Sequence, residues 1–303
     1  MSEKLEVTRL AASLGAEVRG ISLGDVGPVE AEAVRELLHE HLVLLFPDQH
    51  PSVAEHVAFG RHFGELEGHP NLQNPFLEHE EIFELAASKG GIADEWHSDL
   101  TFRDEPSVLA ILHMLKCPDV GGDTLWANMY RAYEALSAPL QELCEGLTAL
   151  HDAAPHGKPE DMSVHPVVRV HPATGRKSLF INEHFTRRIV ELSHRESELL
   201  LGYLTRWVAS APFTVRYRWQ SGTVAMWDNR CTQHFVLNDF DAERVIQRVT
   251  VMGDRPEGVG APRWAPYARA EKPAATSRYD LQLNRFLGRR ATTLESNRKR
   301  DDA

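Results

Sequence analysis

Two residues with metal-binding side chains lie two positions apart in the stretch EWHSDLTF, residues 95–102, which places His97 and Asp99 among apolar and aromatic neighbours. Both side chains can face one space from the end of a strand, where a third ligand from another strand would complete a metal site. The pair alone is weak evidence, because 16 histidines and 44 acidic residues among 303 produce roughly two such pairs by chance.

The chain contains three pairs of this kind, so their surroundings decide between them. His79/Glu81 and His194/Glu196 lie in charge-rich, helix-like stretches, LEHEEIFEL and LSHRESELL, which are typical of solvent-exposed faces. A third ligand for the remaining pair is best sought at His234, which follows an apolar strand and a turn in VAMWDNRCTQHFVLNDF. Two histidines and one carboxylate form the facial triad that binds Fe(II) and leaves positions open for substrates and O₂.

Two arginines follow His234 in the apolar stretch ERVIQRVTVMG. Residues four apart in a strand point to the same face, so Arg244 and Arg248 share a face with Ile246. If that face is internal, both guanidinium groups need anionic partners, such as small carboxylates or sulfonates near the metal. The alternative interpretation is a salt-bridged outer face.

The first 95 residues predict two amphipathic helices separated by short strands. The helices are expected over 28–42 and 52–66, and the strands within residues 5–23, in LVLLFPD and, inside a loop over 67–95, in EIFEL.

From residue 96 onwards short β-rich runs dominate the chain, separated by Gly, Pro, Asn and Asp turns. Helical insertions are predicted at about 130–149 and 195–210. Strands of this length and spacing are typical of a sandwich or jelly roll.

Composition restricts the class of protein. Hydrophobic residues make up 42% and charged residues 25%, as in soluble globular proteins, and a net charge of −11 argues against a nucleic-acid partner. No apolar run is long enough for a membrane, and the start MSEKLEVTRL lacks a secretory h-region. Three cysteines without CxxC spacing argue against a disulfide framework, so a cytoplasmic location is expected.

The composition changes after Gly253, which predicts a domain over 1–255 and a C-terminal extension over 256–303, partly disordered or an oligomer arm.

Four motifs in order give the chain a family resemblance. WHSDLTF, GGDTLWANMYRAYEALS, HPVVRVHPATGRKSLFINEHFTRRIV and WDNRCTQHFVLNDF followed by RVIQRVT resemble the taurine dioxygenase and phenoxyacetate dioxygenase family, with similarity from about residue 5 to residue 256. The resemblance implies a mainly β fold with helices (α+β), whose core is a distorted double-stranded β-helix (jelly-roll, cupin-like) flanked by helices. It also implies Fe(II), 2-oxoglutarate and O₂ as cofactors, release of succinate and CO₂, and a homodimer or homotetramer.

Position by position, the resemblance assigns roles around the metal. His97, Asp99 and His234 match the iron ligands. Thr124 and Arg244 match the residues that hold the distal carboxylate of 2-oxoglutarate. The presence of Asp99 argues against a halogenase, which needs a small residue there so that chloride can bind the iron.

The resemblance also implies a site for a small anionic substrate. Arg248 and His69 match residues that hold a sulfonate, and Phe185 matches an aromatic wall of the pocket. Leu100, directly after Asp99, is also predicted to bind the substrate.

Several departures from the pattern point away from taurine itself. Leu72 and Ala93 stand where a tyrosine and an asparagine are expected, and the aromatic residue expected after Asp152 is missing. Only residues 153–164 remain of a longer lid, which predicts a wider mouth, and the C-terminal extension could replace the lid. We expect a substrate with one anionic group and a less polar body: an alkyl sulfate ester or larger sulfonate, or alternatively an aryloxyalkanoate or other carboxylate, including a specialised metabolite.

Two hypotheses from other classes remain open at this point. A zinc hydrolase could use the same three ligands with water in the fourth position, although no general base is evident near them. A non-catalytic jelly-roll binding protein is the second.

Overall fold

A computed structural model of the chain describes residues 5–68, 79–89 and 93–267. Within these ranges the chain forms sixteen strands, five α-helices and short 3-10 turns. The strands are β1 (Glu6–Arg9), β2 (Ala16–Arg19), β3 (Val43–Phe46), β4 (Leu66–Glu67), β5 (Ile82–Ala86), β6 (Leu109–Lys116), β7 (Thr124–Asn128), β8 (Thr148–Ala153), β9 (Lys158–Pro166), β10 (Val168–Val170), β11 (Lys177–Leu179), β12 (Thr186–Ile189), β13 (Thr214–Tyr217), β14 (Val224–Asp228), β15 (Thr232–Val236) and β16 (Val245–Val251). The helices are α1 (Pro28–His41), α2 (Val53–Arg61), α3 (Met129–Glu134), α4 (Ala138–Glu145) and α5 (His194–Val208).

The largest sheet has the strand order β1-β2-β3-β14-β6-β16-β4, and β5 also pairs with β16. Helices α1 and α2 cover its outer face, where buried Val34 and Leu38 of α1 and Val57 of α2 pack against Val249 and other apolar strand residues. Each helix begins at a favourable residue, because Pro28 occupies the first turn of α1 and a capping box starts α2. The sheet is therefore buried on one face by helices.

The inner face of this sheet packs against a second sheet of order β13-β7-β15. The core between them contains Trp126 from β7, Trp227 from β14 and Ile246 from β16, and the two tryptophan rings lie 6.0 Å apart. A third sheet, β12-β8-β9, extends beyond this core, and a separate apolar cluster joins helices α3 to α5 to the strands. The fold is thus mainly β with flanking helices, as predicted, and two facing sheets around one core are the arrangement of a distorted jelly roll.

Most predicted elements are confirmed, including the strands within 5–23, the strand in EIFEL and the helices over 28–42 and 195–210. The helix predicted over 52–66 is too long: α2 ends at Arg61, Gly64 has φ 152°, and the chain enters β4 at Leu66. The insertion predicted over 130–149 is two helices, because Ser137 is extended and Pro139 favours a new helix start.

Residues 153–164, predicted to be a short lid, form a β-hairpin instead. Strand β9 pairs antiparallel with β8 up to Ala153, and a 3-10 turn over Ala154–His156 followed by Gly157 with φ 72° connects them. The hairpin was not predicted because the first half of β9, KPED, is exposed and carries charged residues on both faces, so it lacks the alternation of apolar and polar residues typical of a strand.

The first residues of the C-terminal extension, up to residue 267, form backbone hydrogen bonds with the rest of the fold. The carbonyl of Glu257 accepts a hydrogen bond from the Val170 amide at 2.8 Å, and the Tyr267 amide donates to the Val190 carbonyl at 2.9 Å. Residues 268–303 lie outside the described residues, so the division at residue 255 remains a prediction. Among the helices of the described ranges, none combines the length and apolarity needed for a membrane span. All three cysteine thiols are free.

A buried ionic network closes the end of β14. Arg230 binds both carboxylate oxygens of Asp228, at 2.9 and 2.6 Å, and His171 Nε2 donates to Oδ2 at 2.9 Å. Burial alone would raise the pKa of Asp228, but the charge and hydrogen bonds of Arg230, with those of His171, outweigh it and hold the pKa far below its usual 3.8. Because the folded-state pKa is depressed, this stabilisation is present above about pH 4 and is lost as the pH falls.

We therefore expect Asp228→Asn to lower the free energy of unfolding by about 3 kcal/mol at pH 7, since Arg230 loses its buried counter-charge. The variant should also show a flatter decrease of stability between pH 4 and pH 2 than the wild type. Urea unfolding at a series of pH values measures both effects. Asp48→Asn, at an exposed position, is the control, and equal acid slopes in wild type and Asp228→Asn would contradict the assignment.

Candidate metal centre

Two of the three predicted ligands are held together by their own backbones. The His97 amide donates to the His234 carbonyl at 3.1 Å, and the His234 amide donates to the His97 carbonyl at 2.8 Å. This is the reciprocal bonding of an antiparallel pair, which puts adjacent side chains on the same side. The two imidazole rings accordingly lie 4.0 Å apart between centroids.

Asp99 is positioned by a buried asparagine from the turn after β14. The Asn229 side chain accepts the Asp99 amide at 2.8 Å and donates to the Asp99 carbonyl at 3.0 Å and the Ser107 carbonyl at 2.8 Å. Directly after Asp99, Leu100 has φ 55°, an unfavourable left-handed conformation for a branched residue. Such strain persists only where the surrounding contacts over-determine the backbone.

The three side chains converge on one point. Nε2 of His97 and Nε2 of His234 lie 3.8 and 3.9 Å from Oδ1 of Asp99, and all three groups are buried. His97 Nδ1 donates to the Glu95 carbonyl at 2.7 Å, which leaves the Nε2 lone pair directed towards Asp99. Burial lowers the pKa of both imidazoles, that of His234 well below 6.5, so both are neutral at pH 7 as metal ligands must be.

This donor set fits Fe(II), which accepts two imidazoles and one carboxylate on one side and leaves the other side open. Burial alone would raise the pKa of Asp99, but the neighbouring Arg248 guanidinium, with smaller effects of the two histidines, brings it far below its usual range. The carboxylate is therefore ionised.

Arg248, predicted to bind the substrate, contacts this ligand carboxylate directly. Its Nη2 donates to Oδ2 of Asp99, while its guanidinium carbon lies 5.1 Å from the Trp227 ring and 5.9 Å from the Phe83 ring. Its buried Nε has no hydrogen-bond partner within the described residues. The guanidinium thus lies beside the metal position, and its Nε is available to donate a hydrogen bond to a ligand.

Arg244 and Thr124, predicted to hold 2-oxoglutarate, are brought together through Trp219. Trp219 Nε1 donates to Thr124 Oγ1 at 2.9 Å, which leaves the threonine hydroxyl proton available for another acceptor. The Arg244 guanidinium carbon lies 6.0 Å from the Trp219 ring, and only 8% of the residue is exposed. Its Nε and Nη2 have no hydrogen-bond partner among the described residues.

A buried guanidinium with unpaired donors is unstable unless an anion joins it. Burial lowers the pKa of Arg244 to about 10, and the nearby Cys117 only partly offsets this. A carboxylate is the anion whose geometry matches the guanidinium fork. The pair of Arg244 and Thr124 therefore fits the distal carboxylate of 2-oxoglutarate.

The two glycines before Thr124 are required by this arrangement. Gly121 and Gly122 have φ of 84° and 69°, and a Cβ on Gly121 would lie 2.5 Å from the Asp239 carbonyl oxygen. The Gly122 amide donates to the Asp239 side chain at 2.8 Å. Only glycine permits this close approach of the start of β7 to the loop before β16.

Aromatic and apolar side chains form a wall next to the metal ligands. Leu100, Phe102, Ala153 and Phe185 make one buried cluster, and the Phe185 ring lies 6.4 Å from the His97 ring. The Phe185 amide donates to the Asn182 side chain at 2.7 Å, and its carbonyl accepts from the Asp152 amide at 3.0 Å. Leu100 and Phe185 therefore lie in one buried cluster next to the metal ligands, and their role in substrate binding stays a prediction.

A second set of possible metal ligands, His39, His171 and Asp228, lies close together elsewhere in the described residues. His171 Nδ1 accepts the amides of Ala173 and Thr174, both at 3.2 Å, so its Nε2 carries the proton that Asp228 accepts. With Asp228 already bound by Arg230 and His171, this set is a structural ionic network.

Several residues of the site were not predicted from the sequence. Asn229, Trp219 and His184 had no assigned role, although His184 lies 5.5 Å from the His97 ring and 2.6 Å from the Glu95 carboxylate. The only available signals were the motif WDNR for Asn229 and the tryptophan at the end of FTVRYRW. His69 and Leu72 lie outside the described residues.

Comparison with known proteins agrees with the geometry. Residues 6–250 match the sequence model of the family described as taurine catabolism dioxygenase TauD, TfdA family. A protein of Acinetobacter baylyi named alkylsulfatase is 37% identical over 277 residues, 84% of this chain and 86% of that protein. An alpha-ketoglutarate-dependent sulfate ester dioxygenase of Pseudomonas putida is 36% identical over 280 residues, 84% of this chain and 92% of that protein.

Solved structures show the same relationship. A putative alpha-ketoglutarate-dependent taurine dioxygenase from Burkholderia xenovorans superposes with a TM-score of 0.76 at 36% identity, over 87% of this chain and 97% of that one. The predicted activity class is confirmed: the chain is an enzyme that uses Fe(II), 2-oxoglutarate and O₂, which excludes the zinc hydrolase and the binding protein. The chain belongs to the taurine catabolism dioxygenase family of non-haem iron oxygenases.

Proposed function

We propose that this dioxygenase hydroxylates an alkyl sulfate ester or a larger sulfonate at an unactivated C–H bond. The observation that carries the proposal is a pair of arginines at the start of and within β16. Buried Arg244 precedes the strand and has donors without partners among the described residues, and partly buried Arg248 lies in the strand beside the metal ligands. Two separate cationic positions suit two separate anions, 2-oxoglutarate at Arg244 and the substrate at Arg248. The relatives named for sulfate esters support this choice.

His97, Asp99 and His234 would hold Fe(II), and Arg244 with Thr124 would orient 2-oxoglutarate. Iron and 2-oxoglutarate, when bound, supply the oxidation: O₂ is reduced, 2-oxoglutarate becomes succinate and CO₂, and a C–H bond is hydroxylated. The chain itself binds the anions, orients the reacting carbon and excludes water by the wall of Leu100 and Phe185. His69 completes the proposed substrate-binding set from outside the described residues.

For an alkyl sulfate, hydroxylation of the carbon that bears the sulfate oxygen gives an unstable product. One oxygen atom of O₂ enters this C–H bond and the other enters succinate. The product then expels sulfate and leaves an aldehyde. Inorganic sulfate and aldehyde would therefore appear with the same stoichiometry as succinate.

An aryloxyalkanoate is the second candidate, because Phe102 and Phe185, with rings 5.3 Å apart, could stack on an aryl group. It shares the anionic group and the oxygen next to the oxidised carbon.

We also propose a cytoplasmic location, because free thiols and a ferrous site suit a reducing compartment. A homodimer or homotetramer is proposed from the family resemblance alone, and a monomeric mass in light scattering would contradict it. The division into a catalytic domain over 1–255 and an extension over 256–303 is proposed from the change in composition.

Removal of a metal ligand tests the metal centre. His97→Ala and Asp99→Ala should weaken anaerobic Fe(II) binding by at least about 100-fold, because a facial triad has no spare protein ligand. Calorimetry under nitrogen measures the affinity. The matched control is His39→Ala from the other histidine set, which should bind Fe(II) as the wild type does. Loss of binding in the control alone would move the metal site there.

Arg244→Ala should weaken 2-oxoglutarate binding to the iron-loaded enzyme by about 100-fold, since a charge-assisted ion pair in a dry site is lost. Thr124→Val should weaken it by about tenfold through the loss of one hydrogen bond. Anaerobic titration of the visible charge-transfer band measures both. Arg19→Ala, at an exposed arginine, is the control, and an unchanged titration in Arg244→Ala would rule out the proposed anchor.

A substrate panel of linear alkyl sulfates, alkanesulfonates and aryloxypropionates decides the substrate class. Succinate formation should be fastest with alkyl sulfates, with equal release of inorganic sulfate. Arg248→Ala should reduce kcat/KM for them by about 100-fold, and Arg248→Lys should recover part of it by restoring the charge. Arg131→Ala is the exposed control. Faster turnover of aryloxypropionates would favour the second candidate.

A further inference from the structure

Four buried polar residues form a closed ring of hydrogen bonds next to the apolar wall of the site. Asn182 Nδ2 donates to Thr101 Oγ1 at 3.0 Å, and the Asn182 amide donates to Thr186 Oγ1 at 2.8 Å. His151 Nδ1 lies 3.0 Å from Thr101 Oγ1 and 3.2 Å from Thr186 Oγ1, within hydrogen-bond distance of both hydroxyls. The ring therefore joins the loop after the ligand Asp99 to β8, to the start of β12 and to the segment before it.

The ring is uncharged, and its hydrogen bonds are compatible with one another. Burial lowers the pKa of His151 well below its usual 6.5, so the imidazole is neutral at pH 7. The Thr101 hydroxyl accepts from Asn182 and retains a proton that it can donate to His151 Nδ1. Such a network holds one geometry, because any member that moved would leave a buried partner without its hydrogen bond.

The ring fixes the chain on one side of the strained residue Leu100, which has φ 55°. On the other side, the Asn229 side chain bonds both the amide and the carbonyl of Asp99. Thr101 directly follows Leu100, so its bonded hydroxyl fixes the second flank. A left-handed conformation at a branched residue persists only where the surrounding contacts hold it in this way. A change at Leu100 would turn the residue before it, so the ring helps to set the direction of the Asp99 side chain.

Asn182 also holds the aromatic part of the wall. Its Oδ1 accepts the Phe185 amide at 2.7 Å, while its Nδ2 donates to Thr101. The residue is only 2% exposed, so solvent does not compete for either bond. One amide side chain thus connects the backbone of Phe185 to the loop that carries Asp99.

We infer that Thr101 and Asn182 are positioning residues, which keep Asp99 in the orientation that the metal requires and fix it relative to the aromatic wall; the inference rests on the proposed function, in which Asp99 is a ligand of Fe(II). Neither residue belongs to the three ligands. The ring acts on the metal centre through the backbone that links Thr101 to Asp99. A ring that only stabilised the fold would leave the affinity for the metal unchanged.

Removal of the Thr101 hydroxyl tests this role in the full-length protein. Thr101→Val keeps the shape of the side chain but removes its bonds to the ring, so anaerobic Fe(II) binding should weaken about tenfold, as for other residues that orient a metal ligand. Thr101→Ser retains the hydroxyl and should stay within about twofold of the wild type. Calorimetry under nitrogen measures the affinities. The matched control is Thr205→Val on α5, which removes a hydroxyl bonded to the Leu201 carbonyl at 2.9 Å and should bind Fe(II) as the wild type does.

Asn182→Ser supplies a second variant, because serine lacks the amide group that donates to Thr101 but keeps an oxygen that can accept the Phe185 amide. It should weaken Fe(II) binding to a similar extent. The double variant Thr101→Val/Asn182→Ser should bind little more weakly than either single variant, since both substitutions remove the same bond. The visible charge-transfer band of the protein loaded with Fe(II) and 2-oxoglutarate should shift in Thr101→Val and return in Thr101→Ser.

Wild-type Fe(II) affinity and an unshifted band in both Thr101→Val and Asn182→Ser would overturn the inference, even if urea unfolding showed a lower stability, and would leave the metal centre standing. A Thr101→Ser variant that binds as weakly as Thr101→Val would also overturn it, because the hydroxyl would then not be the cause. Unchanged Fe(II) binding in His97→Ala would overturn the metal centre and the inference together.

Discussion

The buried turn between β14 and β15 is the constraint on which the metal centre depends. Asp228 at its start is fixed by Arg230 and His171, and its carbonyl accepts the Thr232 hydroxyl at 2.7 Å. The next residue, Asn229, holds the backbone of Asp99 from a position 130 residues later in the chain. One turn therefore orients the strand that carries His234 and the loop that carries Asp99. Because these bonds lie within the protein, the ligand geometry is set before any metal binds.

Arg244, just before β16, and Arg248, within it, illustrate how the site is prepared for anions. Arg248 is compensated by Asp99, whereas the buried Arg244 has donors that find no partner in the part of the chain that the structure describes. Folding therefore retains an uncompensated charge at Arg244, which lowers the stability of the protein without its cofactor. Binding of a carboxylate recovers that free energy, so affinity for 2-oxoglutarate is gained at the expense of intrinsic stability.

How much of the fold and of the site could be predicted from the sequence depends on how far apart the interacting residues lie along the chain. Alternation along ERVIQRVTVMG predicted an internal face, and Ile246 does lie in the core between the sheets while Val249 lies under the helices. Local motifs likewise led to the residues that converge at the metal centre. The contacts of Asn229 with Asp99 and of Trp219 with Thr124 join residues 130 and 95 positions apart, and nothing in the local pattern signals them. The β8–β9 hairpin was missed for a different reason, since its charged, two-sided exposure hides the period of a strand.

The metal-binding and anion-binding residues come largely from one part of the fold. The ligand His234 and both arginines belong to β15, β16 and the loop between them, and these strands lie in the sheets that enclose the main core. The apolar wall of Leu100 and Phe185 lies in a separate buried cluster, which also contains Ala153 at the end of β8. Because Leu100 directly follows Asp99 in the chain, a substitution that shifts this wall also shifts the backbone of a metal ligand. The effects of substitutions in the wall and at the ligands are therefore expected to be non-additive.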